Sequence, residues 1–206
     1  MSRVILVRHG ETELNRQLRY SGQLDATLTA AGQAQEARLL ASLAAIPISR
    51  VVSSSVPHVL RLAELLAAQR HLHAEADPDL REASFGRWEG LTYAEAMQAD
   101  RPEMVAFNRG AADAAPPLGE SVRALAARVR ARFDALEREQ RGRDGALLIV
   151  SHGGTLRALL CSLLHIPIER HWTLRINPAS VTVFDTYPLG PIVAVLNDTC
   201  HLQGLG

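Results

Sequence analysis

Two short apolar runs in this chain end in the same way: Val4-Ile5-Leu6-Val7 passes into Arg8-His9-Gly10, and Leu147-Leu148-Ile149-Val150 passes into Ser151-His152-Gly153-Gly154. A run of leucine and β-branched residues without polar alternation, closed by glycine, is the pattern of a strand buried on both faces that enters a βα turn. Ligands of open α/β sheets bind beyond the carboxyl ends of the strands. If the two strands are neighbours, both imidazoles meet at that edge. The repeated pattern therefore constrains the fold and points to chemistry more than to packing.

The rest of the chain alternates as βαβ units do. Thr29 is placed to cap a helix over about 30–45, Arg50-Val51-Val52 reads as a second strand leading to a helix around 57–69, and residues 72–76 read as a third strand. Residues 80–90 carry glycines and mixed polarity and read as a structured loop, after which Thr92 with Glu95 resembles a capping box. From Glu103 to Gly119 small residues and proline dominate, which suits a cap or lid connection. A helix begins near Ser121, with Val122, Leu125, Val129, Phe133 and Leu136 on one face; residues 155–164 read as another helix. Residues 180–187 and 192–196 read as strands of a closing hairpin. The expectation is one α/β domain over 1–206: a three-layer α/β/α sandwich with a mostly parallel sheet, an antiparallel strand and a small helical cap within about 82–120.

Composition agrees with this and narrows the partners. The 206 residues are 47% hydrophobic, enough for one sizeable core. Lys+Arg and Asp+Glu both total 22, so no overall field favours nucleic acid or an anionic membrane, and any anion site must be built locally. The arginines of the helix after Ser121, among them Arg123, Arg128, Arg130 and Arg132, read as a solvated face. Cys161 and Cys200 have no ligand spacing, no apolar run approaches about 18 residues, and Met1-Ser2-Arg3 leads directly into a strand. A cytoplasmic protein with reduced thiols, no membrane span and no nucleic-acid partner is expected; the oligomeric state is open, a homodimer included.

A neutral imidazole has one free ring-nitrogen lone pair, so His9 can attack phosphorus if its other nitrogen is held by a hydrogen bond. Arg8 offers a planar fork that bridges two phosphoryl oxygens, and Gly10 and Gly153 permit close backbone approach. Phosphoryl transfer needs mainly positioning and charge stabilisation, which such groups supply. The plainer alternative is a packed histidine at a strand end. His71 and His73 alternate at the third predicted strand without completing a metal-ligand set and read as surface residues, His165 and His171 read as loop residues, and Trp88 reads as the anchor of its loop.

Arg8-His9-Gly10-Glu11-Thr12 with Asn15 resembles the signature of the histidine phosphatase superfamily, also called the phosphoglycerate mutase-like family. The resemblance continues in order through Tyr20-Ser21-Gly22, residues 28–35, Ser53-Ser54, Leu80-Arg81-Glu82, residues 85–90, Gly119-Glu120-Ser121 and Ser151-His152-Gly153-Gly154. It implies a nucleophile at His9, a phosphate pocket of Arg8, Asn15 and His152, Ser21 and Gly22 on the substrate side, and a proton donor at Glu82. One carboxyl can protonate the leaving alkoxide and then deprotonate water. Glu89 and Glu120 are competing carboxylates in motifs that read as loop and helix-start structure. The tail from Leu196 to Leu202 resembles that of small phosphatases of this family, including those similar to α-ribazole-5′-phosphate phosphatase.

One departure stands out. Where the family carries a second phosphate-binding arginine and, four residues on, a threonine, this chain has His58 and Leu62. His58 is thus a candidate substrate ligand, as is Gly153, and Arg61 is close enough along the helix to lean toward the same phosphate. The expected function is a metal-independent, cofactor-free phosphatase of small phosphomonoesters, with a phosphoglycerate mutase, or a non-catalytic phosphate-ligand binder weakened at His58, as alternatives.

Overall fold

Val4 and Leu6 point to one side of the first strand and Ile5 and Val7 to the other, and both sides are covered. The computed structural model describes residues 2–205; Met1 and Gly206, the ends of the expected 1–206 domain, lie outside the described residues. The chain runs β1 (Ser2–Arg8), α1 (Glu13–Arg16), α2 (Ala30–Leu43), β2 (Ile48–Ser54), α3 (Pro57–Ala68) and β3 (Ala74–Asp77). It continues with α4 (Tyr93–Ala99), α5 (Arg101–Asn108), α6 (Val122–Gln140), β4 (Ala146–Ser151), α7 (Gly153–Leu163), β5 (Val181–Tyr187) and β6 (Gly190–Asp198).

The strands form one sheet in the order β3-β2-β4-β1-β5-β6. The first four are mutually parallel, β5 runs antiparallel to β1, and β6 returns antiparallel to β5. On one face Val4, Leu6, Leu147 and Ile149 pack against Leu125, Val129, Phe133 and Leu136 of α6 and Leu156, Leu159 and Leu160 of α7. On the other, Ile5, Val7, Leu148 and Val150 pack against Leu39 and Leu43 of α2 and Val59, Leu62 and Leu66 of α3. The two-residue alternation of each central strand thus feeds two separate cores, which is why those strands are apolar throughout. This is the three-layer α/β/α sandwich expected.

Helix starts follow their caps. Thr29 Oγ1 accepts from Gly32 N–H at 2.9 Å, Ser121 Oγ from Ala124 N–H at 3.2 Å, and Thr92 and Glu95 form the reciprocal capping box before α4. The third strand begins at Ala74, later than the sequence pattern suggests. The reason lies at the end of α3: His71 adopts a left-handed φ of 55°, His71 N–H bonds Ala68 O and Leu72 N–H bonds Ala67 O, so residues 71–72 belong to the helix stop. In the Ala/Pro-rich stretch, α5 forms with Pro102 in its first turn, where the missing N–H costs no helix bond. Trp88, Ala96 and Met104 make a third small core with Tyr20, Phe85 and Phe107 around it, and Trp88 Nε1–H donates to Asp100 at 2.9 Å. Among the described residues, no helix is long and apolar enough to cross a membrane.

Candidate active site

The parallel register of β1 and β4 aligns Arg8 with Ser151, so the residues that follow, His9 and His152, emerge side by side at the carboxyl edge of the sheet. His9 N–H donates to Ser151 O at 3.3 Å, and the two imidazole centroids are 5.3 Å apart. His9 Nδ1 lies 2.7 Å from the Gly10 carbonyl. A carbonyl only accepts, so Nδ1 carries the hydrogen and the lone pair resides on Nε2. His152 Nε2 is 2.8 Å from Ser54 Oγ at the end of β2, whose oxygen also accepts from Val56 N–H. With the hydroxyl donating to Nε2, the tautomer that remains presents Nδ1–H.

His58, at the start of α3, closes the group: its centroid is 4.8 Å from that of His9 and 6.0 Å from that of His152, and its Nδ1 is 3.0 Å from the Asp25 carboxylate. All three histidines are buried. Burial pushes His9 well below the ordinary histidine value, reinforced by His152, His58 and Arg8 and opposed by the Gly10 carbonyl. His152 is depressed likewise by burial and then by His58, Arg8 and Arg128. Burial also lowers His58, against the pull of Asp25. Around neutral pH the edge therefore holds three uncharged imidazoles. The permanent charge comes from Arg8, whose guanidinium is brought down to about 10 by burial, with Glu82 opposing and Arg157 adding to the effect.

Arg8, His9, Asn15, Ser21, Glu82, His152 and Gly153 line one cavity of about 320 Å³. Arg8 is fixed by donation from Nη1 to Ile176 O at 2.6 Å, and a Cβ on Gly153 would stand 3.2 Å from its guanidinium carbon, so the glycine admits the arginine. Asn15 Oδ1 accepts from Thr12 N–H, closing the cap of α1 and leaving the amide NH2 as the group to offer the cavity. Glu82 accepts from Gly154 N–H at 2.7 Å, Thr155 Oγ1 at 3.1 Å and Ala83 N–H at 3.1 Å, which seats its carboxylate at the amino end of α7.

Other residues singled out in the sequence lie elsewhere. Gly22 does not line the cavity; at φ +51° it makes room for Glu89, whose Oε1 would be 2.2 Å from a Cβ there. Glu89 accepts from Phe85 N–H and Gln23 N–H and so holds its loop. Gly10 N–H is engaged by Glu36 at 3.1 Å, which removes that amide from the set facing the cavity. Arg61 pairs with Glu36 and lines a neighbouring depression with Asp25 and His58. Glu120 borders the cavity but is held by both its oxygens to Arg128.

Sequence reasoning missed Ser54 as a partner of His152, although the residue lay within a noted motif. It also missed Arg157, which lines the cavity from α7, and it read His171 as a loop residue without placing it on the cavity, which it lines from the loop after α7. Arg157 Nε is buried and, among the described residues, has no hydrogen-bond partner. Tyr20, Phe85 and Phe107 form an aromatic wall on the cap side, with Tyr20 and Phe85 centroids 4.8 Å apart.

A model of the histidine phosphatase superfamily (branch 1) matches residues 4–199. The adenosylcobalamin/alpha-ribazole phosphatase of Escherichia coli (strain K12) is 31% identical over 195 residues, covering 95% of both chains. A probable phosphoglycerate mutase GpmB of Escherichia fergusonii is 30% identical over 209 residues, covering 98% of this chain and 96% of that one. Among solved structures, Bacillus stearothermophilus YhfR superposes with a TM-score of 0.91 at 28% identity, covering 98% of this chain and 100% of that chain.

Proposed function

The chain belongs to branch 1 of the histidine phosphatase superfamily and is an enzyme of its phosphoglycerate mutase-like phosphatase type, and from that premise we propose that it hydrolyses small phosphomonoesters through a phosphohistidine on His9. The observation that carries this is the hydrogen bond from His9 Nδ1 to the Gly10 carbonyl, which aims a free Nε2 lone pair into a cavity bordered by Arg8 and His152. In the first step Nε2 attacks phosphorus, the ester P–O bond breaks, and Glu82 supplies the proton taken by the leaving alkoxide. In the second, Glu82 removes a proton from water, whose oxygen attacks phosphorus as the P–N bond breaks, releasing phosphate. Arg8, the Asn15 amide and His152 Nδ1–H stabilise the equatorial oxygens. Ser21 and Gly153 border the same space, and the aromatic wall and Arg157 face the alcohol portion.

The test is a phosphoenzyme trap. Brief reaction with a 32P-labelled phosphomonoester should give an adduct labile to acid and stable to base, as a phosphoramidate is, and His9→Ala should lose both adduct and turnover. Unchanged turnover in His9→Ala would sink the mechanism. Glu82→Gln should slow turnover far more than Glu120→Gln, because Glu120 is already committed to Arg128.

The likeness to a probable phosphoglycerate mutase supports a second reading, in which a retained phosphoglycerate replaces water as acceptor. Of the cap segment's arginines, Arg87 pairs with Asp100 while Arg101 and Arg109 are exposed, and none of the three lines the cavity, so the cap adds no cation to Arg8, Arg19 and Arg157 for a second phosphate. Phosphate release should accordingly proceed without a bisphosphoglycerate primer. Efficient primed interconversion of phosphoglycerates with negligible hydrolysis would favour the mutase.

A further inference from the structure

We propose that His9, His58 and His152 together form a three-imidazole binding site for one divalent transition-metal ion of the zinc type. One ring nitrogen from each residue lies within 4.8 Å of those of the other two, and all three side chains are buried. Metal-binding histidines characteristically hold their second ring nitrogen in a hydrogen bond that fixes the tautomer and orients the ring. Each member has that partner: the Gly10 carbonyl at 2.7 Å, the Asp25 carboxylate at 3.0 Å and the Ser54 hydroxyl at 2.8 Å. The carboxylate behind His58 is the strongest of these, since it raises ligand basicity as well as fixing the ring.

Zinc bound at about 2.0–2.1 Å to each nitrogen in tetrahedral geometry sets the nitrogens roughly 3.3 Å apart. The widest pair must close by about 1.5 Å, within reach of the soft χ2 rotation of histidine. Neutral imidazoles ligate through a bare ring nitrogen, so at His152 the hydrogen moves from Nδ1 to Nε2 and the Ser54 hydroxyl turns to accept it, freeing Nδ1 for the metal. Arg8 opposes a cation here, while Asp25 and Glu82 favour one. A fourth position would suit water or an anion. An arginine at position 58 would remove one ligand and add a fixed positive charge, so the site depends on the feature by which this chain departs from its family.

Occupancy would consume the His9 Nε2 lone pair and so block the nucleophile; that consequence, unlike binding itself, rests on the function proposed above. The experiment is calorimetric titration of the full chain, freed of metal by chelation, with Zn2+ in a phosphate-free buffer at pH 7.5. One ion should bind per chain. Asp25→Asn, a change at a side chain 59% exposed, should weaken binding roughly 10- to 100-fold, and His58→Ala should weaken it further. The double variant His71→Ala/His73→Ala, at exposed histidines, should bind as the parent does. Failure of the parent to bind Zn2+ at micromolar concentration, or affinity indifferent to both Asp25→Asn and His58→Ala, would overturn the site. In a parallel assay Zn2+ should suppress phosphate release by the parent and leave His58→Arg unaffected. Zinc binding as described with no phosphate release under any condition would refute the proposed function and leave the metal site standing.

Discussion

His58 stands where the resemblance to the family implies a permanent cation, and its ring packs edge-on against His9. Because burial depresses its proton affinity, it supplies little positive charge at neutral pH. His58→Arg should therefore raise kcat/KM for a phosphomonoester, with the larger gain above pH 6.5, where histidine is neutral and arginine remains charged. A pH profile of both proteins in metal-free buffer tests this; equal gain at every pH would show that charge is not what the substitution alters. Arg61→Ala should change kcat/KM little, since its guanidinium pairs with Glu36 and the residue lines a neighbouring depression and not the cavity. The sequence spacing left Arg61 free to lean toward the phosphate. What decided its direction was a buried acid on α2, a partner that no local pattern reveals.

At the scale of elements, the turn after α3 invites a stabilising change. Its last hydrogen bonds require a left-handed residue at position 71, and the chain places histidine there at φ 55°. A non-glycine residue pays about 1–2 kcal/mol in that conformation, and the His71 side chain is exposed, so His71→Gly sacrifices no packing. We expect a gain of about 1 kcal/mol, read as a higher urea midpoint at unchanged slope. A loss of stability would mean that the exposed imidazole makes contacts in solution that outweigh the strain. The two apolar runs made β1 and β4 legible, and with them the pairing of His9 and His152, because strands buried on both faces have an unmistakable composition. The caps at Thr29, Thr92 and Ser121 were legible because each capping hydrogen bond is local. Helix α5 was obscured by the small residues and prolines around it. Arg157 and His171 were obscured because they reach the cavity through the packing of α7 and its following loop, a tertiary relation without a periodic signature.

For the molecule as a whole, three neutral buried histidines tie stability to pH. Their proton affinities are lower in the fold than in the unfolded chain, so the unfolded state takes up protons first as pH falls below about 6.5. Their contribution is complete above that value and is lost progressively below it, each group adding at most about 1.4 kcal/mol per pH unit to the slope. Burial raises the Glu36 carboxyl, which contributes in the opposite sense nearer the carboxylate range. Unfolding midpoints measured in phosphate-free buffer should therefore fall between pH 7.5 and 5.5. A flat profile would show that the histidines are not held neutral.

The β1–β4 pairing also dictates when activity can arise during synthesis. Synthesis reaches His9, the proposed nucleophile, long before its neighbour His152 and the Ile176 carbonyl that anchors Arg8. A nascent polypeptide thus carries a bare, solvated His9 with ordinary imidazole reactivity until a very long loop has closed. The depressed proton affinity of His9 and the anchoring of the Arg8 guanidinium arise together at that closure, so competence in the proposed reaction would report that the β1 and β4 segments have met.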